Sequence, residues 1–239
     1  MDDAKNSIIK REVTTAILVD GGFYRRRAFH YAGDKTPEER ADELFEFCIR
    51  LLKDKHERRN LYRIFYYDCP PSDKIVFNPV TKRNVDLKRN PQYKWAMEFF
   101  QELRHKRKVA LRLGSLADSN LNYSLTQDAF KKLVRGDLTG DTLTENDIRL
   151  EIKQKGVDMR IGVDIASLAF KKQVQQIILI AGDSDFVPAA KQARREGIDF
   201  ILAPMGATVR PDLYEHIDGL TGKTLRVEES SPEDAAGDE

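Results

Sequence analysis

Five aspartates lie where side chains from distant parts of the chain could act together. The five are Asp20, Asp158, Asp164, Asp183 and Asp185. Three of them follow apolar runs, and Asp158 and Asp164 flank the start of the helix predicted before the last of these runs. Asp20 ends the β-branched run TTAILV, and Asp183 and Asp185 follow the run QIILI in the turn Gly-Asp-Ser-Asp. Short apolar runs of this kind are typical of buried parallel strands. Because ligands bind beyond the carboxyl ends of such strands, the carboxylates are predicted to share one cleft.

Carboxylates that share a cleft suit a divalent metal ion. Their charged forms repel one another and are costly unless a cation lies between them. Hard oxygen ligands favour Mg2+ or Mn2+, and Mg2+ usually keeps water or phosphate oxygens in its remaining positions. Such an ion can polarise a phosphoryl oxygen and lower the pKa of a bound water. The pattern therefore predicts a metal site that acts on phosphate esters.

Each aspartate also has a purely structural explanation. Asp20 could cap a helix or form the turn after its strand, and Asp183 or Ser184 could cap the helix that follows them. Asp158 could be an N-cap as well, and Asp164 could be an exposed residue nearly two helical turns further on. Only the joint occurrence of the five residues favours a metal site.

The elements that must position these residues alternate between strands and helices. Predicted strands cover residues 14–19, 61–67, 109–113, 176–180 and 198–203. One helix begins after Thr36, where Glu39 completes a capping box. Other predicted helices cover residues 91–105, 144–153, 159–172, 186–195 and 209–217. The alternation predicts an α/β fold with helices on both faces of a mainly parallel sheet. The stretch 115–142 shows no clear period and is predicted to be an inserted loop or a set of short helices.

Composition and charge place the chain among soluble globular proteins. Hydrophobic residues make up 41% of the chain and charged residues 33%. No apolar run approaches the roughly 20 residues that a transmembrane helix needs. Residues 228–239 hold six acidic and no basic residues, which leaves 33 acidic against 40 basic residues in 1–227. We expect one domain over 1–227, whose positive charge suits a polyanionic partner, and a disordered acidic tail over 228–239.

Several functional classes are disfavoured by the sequence. The polar start lacks the apolar core of a secretory signal, so a cytoplasmic protein without membrane attachment is expected. Cys48 and Cys69 give neither a disulfide framework nor a zinc site. The histidines show no spacing for zinc or for a Ser–His pair, and no GxxxxGK[ST] run occurs. A phosphatase with an Asp-x-Asp pair is also disfavoured, because Asp20 has no second acid two residues later.

The motifs resemble those of a known family. The resemblance is carried by ILVDGGF at 17–23, KGVD at 155–158, the spaced Asp164 and AGDSDF at 181–186. These blocks look like the signature blocks of NYN domains of the LabA-like group, within the PIN-like nuclease superfamily. The resemblance implies a PIN-like three-layer sandwich with a central, mainly parallel sheet. It also implies metal-dependent endonucleolytic cleavage of RNA.

The resemblance implies roles for the five aspartates as well. The catalytic residues would be Asp20, Asp158 and Asp183. The ligands of Mg2+ or Mn2+ would be Asp20, Asp158, Asp164, Asp183 and Asp185. One position departs from the pattern: many relatives have an asparagine three residues after the first aspartate, and this chain has Phe23 there.

Neighbouring residues are predicted to hold the substrate, which we expect to be single-stranded RNA. They lie close in sequence to the five aspartates: Tyr24, Arg25, Arg26, Lys155, Arg160 and Ser184. Tyr24 could stack on an unpaired base, and the cations could contact phosphates. Alternatively, the arginines form a solvated face or pair with nearby acids. A non-catalytic RNA-binding or regulatory module and a DNA nuclease remain alternative functions, and the stretch 115–142 could build a homo-oligomer contact.

Overall fold

The computed structural model describes residues 10–116, 121–152 and 154–225, with the side chains of residues 154, 155 and 184 excepted. Twelve strands are described: β1 (Arg11–Asp20), β2 (Glu57–Asp68), β3 (Ile75–Asn78), β4 (Arg83–Asp86), β5 (Val109–Leu113), β6 (Ser115–Leu116), β7 (Asn122–Leu125), β8 (Ile148–Glu151), β9 (Gln154–Lys155), β10 (Gln176–Ile180), β11 (Asp199–Leu202) and β12 (Gly219–Leu220). Seven α-helices are described: α1 (Gly21–Ala32), α2 (Pro37–Leu51), α3 (Pro91–His105), α4 (Gln127–Arg135), α5 (Val157–Phe170), α6 (Val187–Arg195) and α7 (Pro211–Tyr214).

A six-stranded parallel sheet forms the centre of the molecule. Its strands lie in the order β12, β11, β10, β1, β2, β5. In the central strand β1, Val19 is paired with Ile180 of β10 on one side and with Tyr66 of β2 on the other. Along the chain, β1 is followed by β2 and β5, which lie on one side of it, and then by β10, β11 and β12, which lie on the other. This reversal makes the gap between the ends of β1 and β10 the topological switch point, where ligands of open α/β sheets bind.

Helices cover both faces of the sheet, so the protein has three layers. One core lies under α1, α2 and α3 and includes Phe47 and Phe99. The other core lies under α5 and α6 and includes Ile161 and Phe186. A strand that is buried on both faces must be apolar throughout, which explains the uninterrupted run that ends at Asp20. The predicted α/β sandwich with a central parallel sheet is confirmed.

The predicted start of α2 is also confirmed. The Thr36 hydroxyl accepts a hydrogen bond from the Glu39 backbone N–H (3.3 Å). The Glu39 carboxylate accepts one from the Thr36 backbone N–H (2.9 Å). This reciprocal capping box satisfies two donors that the first turn of a helix leaves free, and it fixes where α2 begins.

The prediction of a helix over residues 144–153 is wrong. A short 3-10 turn leads instead into β8, which pairs antiparallel with β7. Ile148 and Leu150 are half-buried and alternate with exposed Arg149 and Glu151, which is the period of a strand. The β3–β4 hairpin and helix α1 were not predicted. Residues 117–120 and the acidic tail lie outside the described residues. Among the residues that are described, the helices lack the length and apolarity needed to cross a membrane.

Candidate active site

Asp20 ends β1 and caps α1. Its Oδ1 accepts a hydrogen bond from the Phe23 backbone N–H (3.1 Å), so the capping role considered for this residue is present. Its Oδ2 has no hydrogen bond to a described residue. Gly21 lets α1 start directly against β2, because a Cβ there would lie 2.6 Å from the Tyr67 carbonyl oxygen. The strand-to-helix turn thus holds one carboxylate oxygen and leaves the other for a ligand.

Asp183 and Asp185 lie in the loop between β10 and α6. Asp183 Oδ1 accepts a hydrogen bond from the Asp185 backbone N–H (3.2 Å), which shapes the turn. Gly182 packs on the ring of Phe23, and a Cβ at residue 182 would overlap that ring. Phe23, at the position where an asparagine was expected, therefore supports the acidic loop by packing.

Electrostatics link these two strand ends to the start of α5. Burial raises the pKa of Asp20, the hydrogen bond from Phe23 opposes this shift, and the negative charge of Asp158 adds to it. Partial desolvation also raises the pKa of Asp158, which is exposed, and the charges of Asp183 and Asp185 raise it further. Four of the five predicted aspartates therefore share one electrostatic field at the switch point. We call this set the acidic cluster: Asp20, Asp158, Asp183 and Asp185.

The chemistry of the acidic cluster fits a hydrated divalent ion. Among the described residues, no group of three or more Asp, Glu, His or Cys side chains is drawn together at metal-ligand spacing. Mg2+ does not require such a cage, since it is usually bound by one or two carboxylates and keeps several waters. A cation would also relieve carboxylates whose pKa values are raised by desolvation and by mutual repulsion, as those of Asp20 and Asp158 are.

Asp164 lies outside the acidic cluster. Its Oδ2 accepts hydrogen bonds from the Tyr67 hydroxyl (2.7 Å) and from Arg112 Nε (3.0 Å). The hydrogen bond to Asp164 and the burial of the ring raise the pKa of Tyr67. Asp164 is not among the charges that shift the pKa of Asp20 or Asp158. In this structure it fastens α5 to β2 and β5.

Asp68 is a residue of this edge that the sequence interpretation missed. It ends β2, next to Asp20, and it is fully buried. Arg25 forms two contacts with its carboxylate, at 2.9 Å and 3.2 Å. The Tyr66 hydroxyl (3.0 Å) and the Cys69 backbone N–H (2.8 Å) donate to it as well. Burial raises the pKa of Asp68, and the charge of Arg25 opposes that shift. The strand-end rule that selected Asp20 also points to Asp68.

The residues that were predicted to contact the substrate differ in their burial and in their partners. The prediction that Tyr24 stacks on a base is wrong, because its ring is fully buried and its hydroxyl donates to Glu43 (3.1 Å). Arg25 is half-buried and held by Asp68, which corresponds to the alternative of pairing with a nearby acid. Arg26 and Arg160 are exposed. The side chains of the two other predicted contacts lie outside the described residues: Lys155 and Ser184.

Neutralising Asp158 is expected to stabilise the protein in the absence of divalent metal. Since its pKa is raised in the folded state, the folded protein loses stability as the pH rises from 3.8 through the raised value. The variant Asp158→Asn has no such penalty. Its urea midpoint in EDTA at neutral pH should exceed that of the wild type, and the difference should shrink as the pH falls toward 3.8.

A matched control for this measurement is Asp137→Asn, which removes a charge from an exposed position after α4. That variant should keep the wild-type midpoint. Mg2+ or Mn2+ should raise the midpoint of the wild type more than that of Asp158→Asn, because a ligand stabilises the state that binds it. An Asp158→Asn protein that is less stable than the wild type in EDTA would contradict the repulsion described above.

Comparison with known proteins identifies the family. The sequence matches the NYN domain over residues 40–211, which is more than half of the chain. The protein belongs to the NYN family. This family is part of the PIN-like nuclease superfamily, so the predicted family and superfamily are confirmed. A crystal structure of a protein of unknown function from Vibrio parahaemolyticus is similar over 87% of this chain and 91% of that one, with 13% identity and a TM-score of 0.45. No curated protein matches significantly.

The NYN match contains three members of the acidic cluster and not the fourth. Asp158, Asp183 and Asp185 fall within residues 40–211, whereas Asp20 precedes them. The parallel sheet brings this outlying residue back to the others, because β1 pairs with β10 along Thr15–Val19. The acidic cluster of this NYN protein therefore includes a residue of β1, a strand that lies outside the matched segment.

Proposed function

We propose that this NYN protein is a metal-dependent endoribonuclease. The observation that supports it most strongly is the acidic cluster, in which desolvation raises the pKa values of Asp20 and Asp158 and the charges of neighbouring carboxylates raise them further. Phosphates are repelled by such a surface unless a cation is bound there. A protein that only binds RNA gains nothing from this arrangement, whereas a metal-dependent nuclease requires one like it.

In the proposed site, Asp20, Asp158 and Asp183 hold one Mg2+ or Mn2+ ion, either directly or through its bound waters, and Asp185 lies in the outer sphere. When bound, the ion would polarise the phosphodiester and promote attack by water. The hydrogen bond from Phe23 keeps Oδ1 of Asp20 in place, which leaves Oδ2 to face the ion. Asp183 is oriented in the same way by the Asp185 backbone N–H.

Asp164 has a different part in this proposal. Its Oδ2 already accepts from Tyr67 and Arg112, so it would reach an ion only by giving up those two donors. We therefore assign it to positioning: it ties α5 to the sheet, and the first turn of α5 carries Asp158. Arg26 would contact the substrate phosphate; the action of its charge on Asp20 and the exposure of its side chain support this role.

A cleavage assay tests the proposal. Labelled single-stranded RNA and DNA of the same sequence are incubated with the protein in Mg2+, in Mn2+ and in EDTA, beside Asp183→Asn and Asp137→Asn. We expect internal cuts in RNA with either metal ion, no cuts in EDTA and no cuts with Asp183→Asn. The control Asp137→Asn should cut like the wild type.

Each other outcome contradicts part of the proposal. Equal cutting in EDTA would exclude a metal-dependent reaction. Cutting by Asp183→Asn at the wild-type rate would place the reaction elsewhere or in a contaminant. Preferential cutting of DNA would make the protein a deoxyribonuclease. Binding of RNA without cutting in any metal ion would favour a binding module.

A further inference from the structure

A cleft of about 800 Å³ lies alongside α1, the helix that Asp20 caps. It is bounded by α1, by the start of α3 and by the loop that follows β2. Its aromatic lining consists of Phe29, Tyr93 and Trp95. The volume falls within the range of about 300–1,000 Å³ that is usual for small-ligand sites. The cleft is therefore large enough to take one nucleotide.

Two arginines connect the cleft to the acidic cluster. Arg25 lines the cleft and is paired with Asp68, which follows the strand next to Asp20. Arg26 also lines it, and its charge lowers the pKa of Asp20. A Cβ on Gly22 would lie 3.4 Å from the Asp20 carboxylate and 3.7 Å from Arg26 Nη1. The cationic end of Arg26 thus lies near the catalytic carboxylate, at the border of the cleft.

Arg26 is the cation of the cleft whose charge is available to a ligand. Among the described lining residues, Arg25 pairs with Asp68, and Lys35 and Arg40 both pair with Glu43. Arg26 is exposed and forms no ion pair with a described residue. One carboxylate, Asp34, also lines the cleft. The charge pattern suits a single phosphate at the border with the acidic cluster rather than a polyanion inside the cleft.

The aromatic lining suits a nucleobase. The Trp95 indole is fixed, because its Nε1 donates to the Lys35 carbonyl oxygen (2.9 Å) and its ring stacks on Phe99 at 5.1 Å and 16°. The Phe29 ring is 59% exposed. Stacking of bases on aromatic side chains contributes about 1–3 kcal/mol per base and tolerates any sequence. A rigid indole and an exposed phenyl ring supply such surfaces.

We propose that this cleft binds an unpaired base of the nucleic acid beside the cleaved phosphate, with Arg26 holding the phosphate between the base and Asp20. The inference rests on the proposed function, since that function makes nucleic acid the ligand. It extends that function by naming what the enzyme recognises. A base in a duplex is stacked and paired and cannot enter the cleft, so the enzyme should require a single strand at this position.

Trp95 allows a direct test, because it is the single tryptophan of the chain. The full-length Asp183→Asn protein, which is expected not to cut RNA, serves as the parent; it is titrated with hexaadenylate RNA in Mg2+, and tryptophan emission is recorded. We expect a saturable change in emission. Tripolyphosphate, which carries charge without bases, and a blunt RNA duplex should leave the emission unchanged.

Two phenylalanine variants provide a matched pair. Phe29 and Phe130 are 59% and 57% exposed, and of the two only Phe29 lines the cleft. Phe29→Ala should weaken binding of hexaadenylate about tenfold, as expected when one stacked base is lost. Made in the same parent, Phe130→Ala should leave binding unchanged, and both substitutions should leave the urea midpoint of the parent unchanged.

The inference is overturned if hexaadenylate leaves the tryptophan emission unchanged, or if tripolyphosphate or the duplex changes it as much as hexaadenylate does. It is also overturned if Phe29→Ala and Phe130→Ala weaken the binding of hexaadenylate equally. The proposed function is judged separately by the cleavage assay. Cleavage without a response of Trp95 removes the base site and keeps the nuclease. A response of Trp95 without cleavage in any metal ion keeps the base site and removes the nuclease.

Discussion

Under the proposed function, replacing Asp20 by asparagine is expected to lower the rate of RNA cleavage about a thousandfold, because a catalytic ion would supply several kcal/mol and each 1.36 kcal/mol corresponds to about tenfold in rate. Asparagine caps a helix about as well as aspartate does, so the Phe23 backbone N–H keeps its acceptor. The substitution thus removes the negative charge and preserves the turn. Single-turnover cleavage rates and urea midpoints, measured on the same preparations, separate the two effects.

The companion variant Asp20→Ala removes both the charge and the cap. It should cut as poorly as Asp20→Asn and should also lose about 1 kcal/mol of folding stability. If Asp20→Asn cuts at the wild-type rate, Asp20 serves only as a cap. If Asp20→Asn is as unstable as Asp20→Ala, the charge itself supports the turn.

The substitution Asp68→Ala is expected to reduce the free energy of unfolding by about 3 kcal/mol, since a buried ion pair that loses one partner typically costs that much or more. The fully buried carboxylate accepts from Arg25, from the Tyr66 hydroxyl and from the Cys69 backbone N–H. Removing it leaves the Arg25 cation and two buried donors without their acceptor. Urea unfolding of the wild type and the variant measures the loss.

A double variant gives this prediction its control. Arg25→Leu combined with Asp68→Leu removes both charges and keeps apolar volume, so it should be more stable than either single substitution. A loss below about 1 kcal/mol in Asp68→Ala would mean that the pair behaves like an exposed salt bridge. A double variant no more stable than the single ones would show that packing, rather than the unpaired charge, causes the loss.

The sequence predicted the sheet and most of the acidic cluster because both depend on local patterns. Buried strands of a parallel sheet are apolar at every position, so the runs that became β1 and β10 are visible without a structure. The strand-end rule then selects Asp20, Asp183 and Asp185. Helix α3 was predicted with its observed bounds, Pro91–His105, since an N1 proline and an amphipathic repeat mark it.

The surroundings of Asp164, Tyr24 and Asp68 could not be predicted in this way, because they depend on how distant parts of the chain pack together. Asp164 is six residues from Asp158 on α5 and thus about 120° away around the helix axis, and its partners Tyr67 and Arg112 come from two distant strands. The burial of Tyr24 follows from α1, whose start GGFYRRR lacks a clear amphipathic pattern. That Asp68 lies close to Asp20 can be known only from the strand order, which places β2 beside β1.

The strand order also has a consequence for biosynthesis. Thr15 of β1 bonds to Gln176, 161 residues further along the chain, so one side of β1 has no partner until β10 has been made. Until then, an apolar strand with open backbone groups can recruit strands of other chains. We expect nascent or truncated chains that stop before β10 to aggregate and to depend on chaperones. The docking of β10 would close that edge and bring Asp183 to Asp20 in the same step, so the acidic cluster would form only after most of the chain has been made.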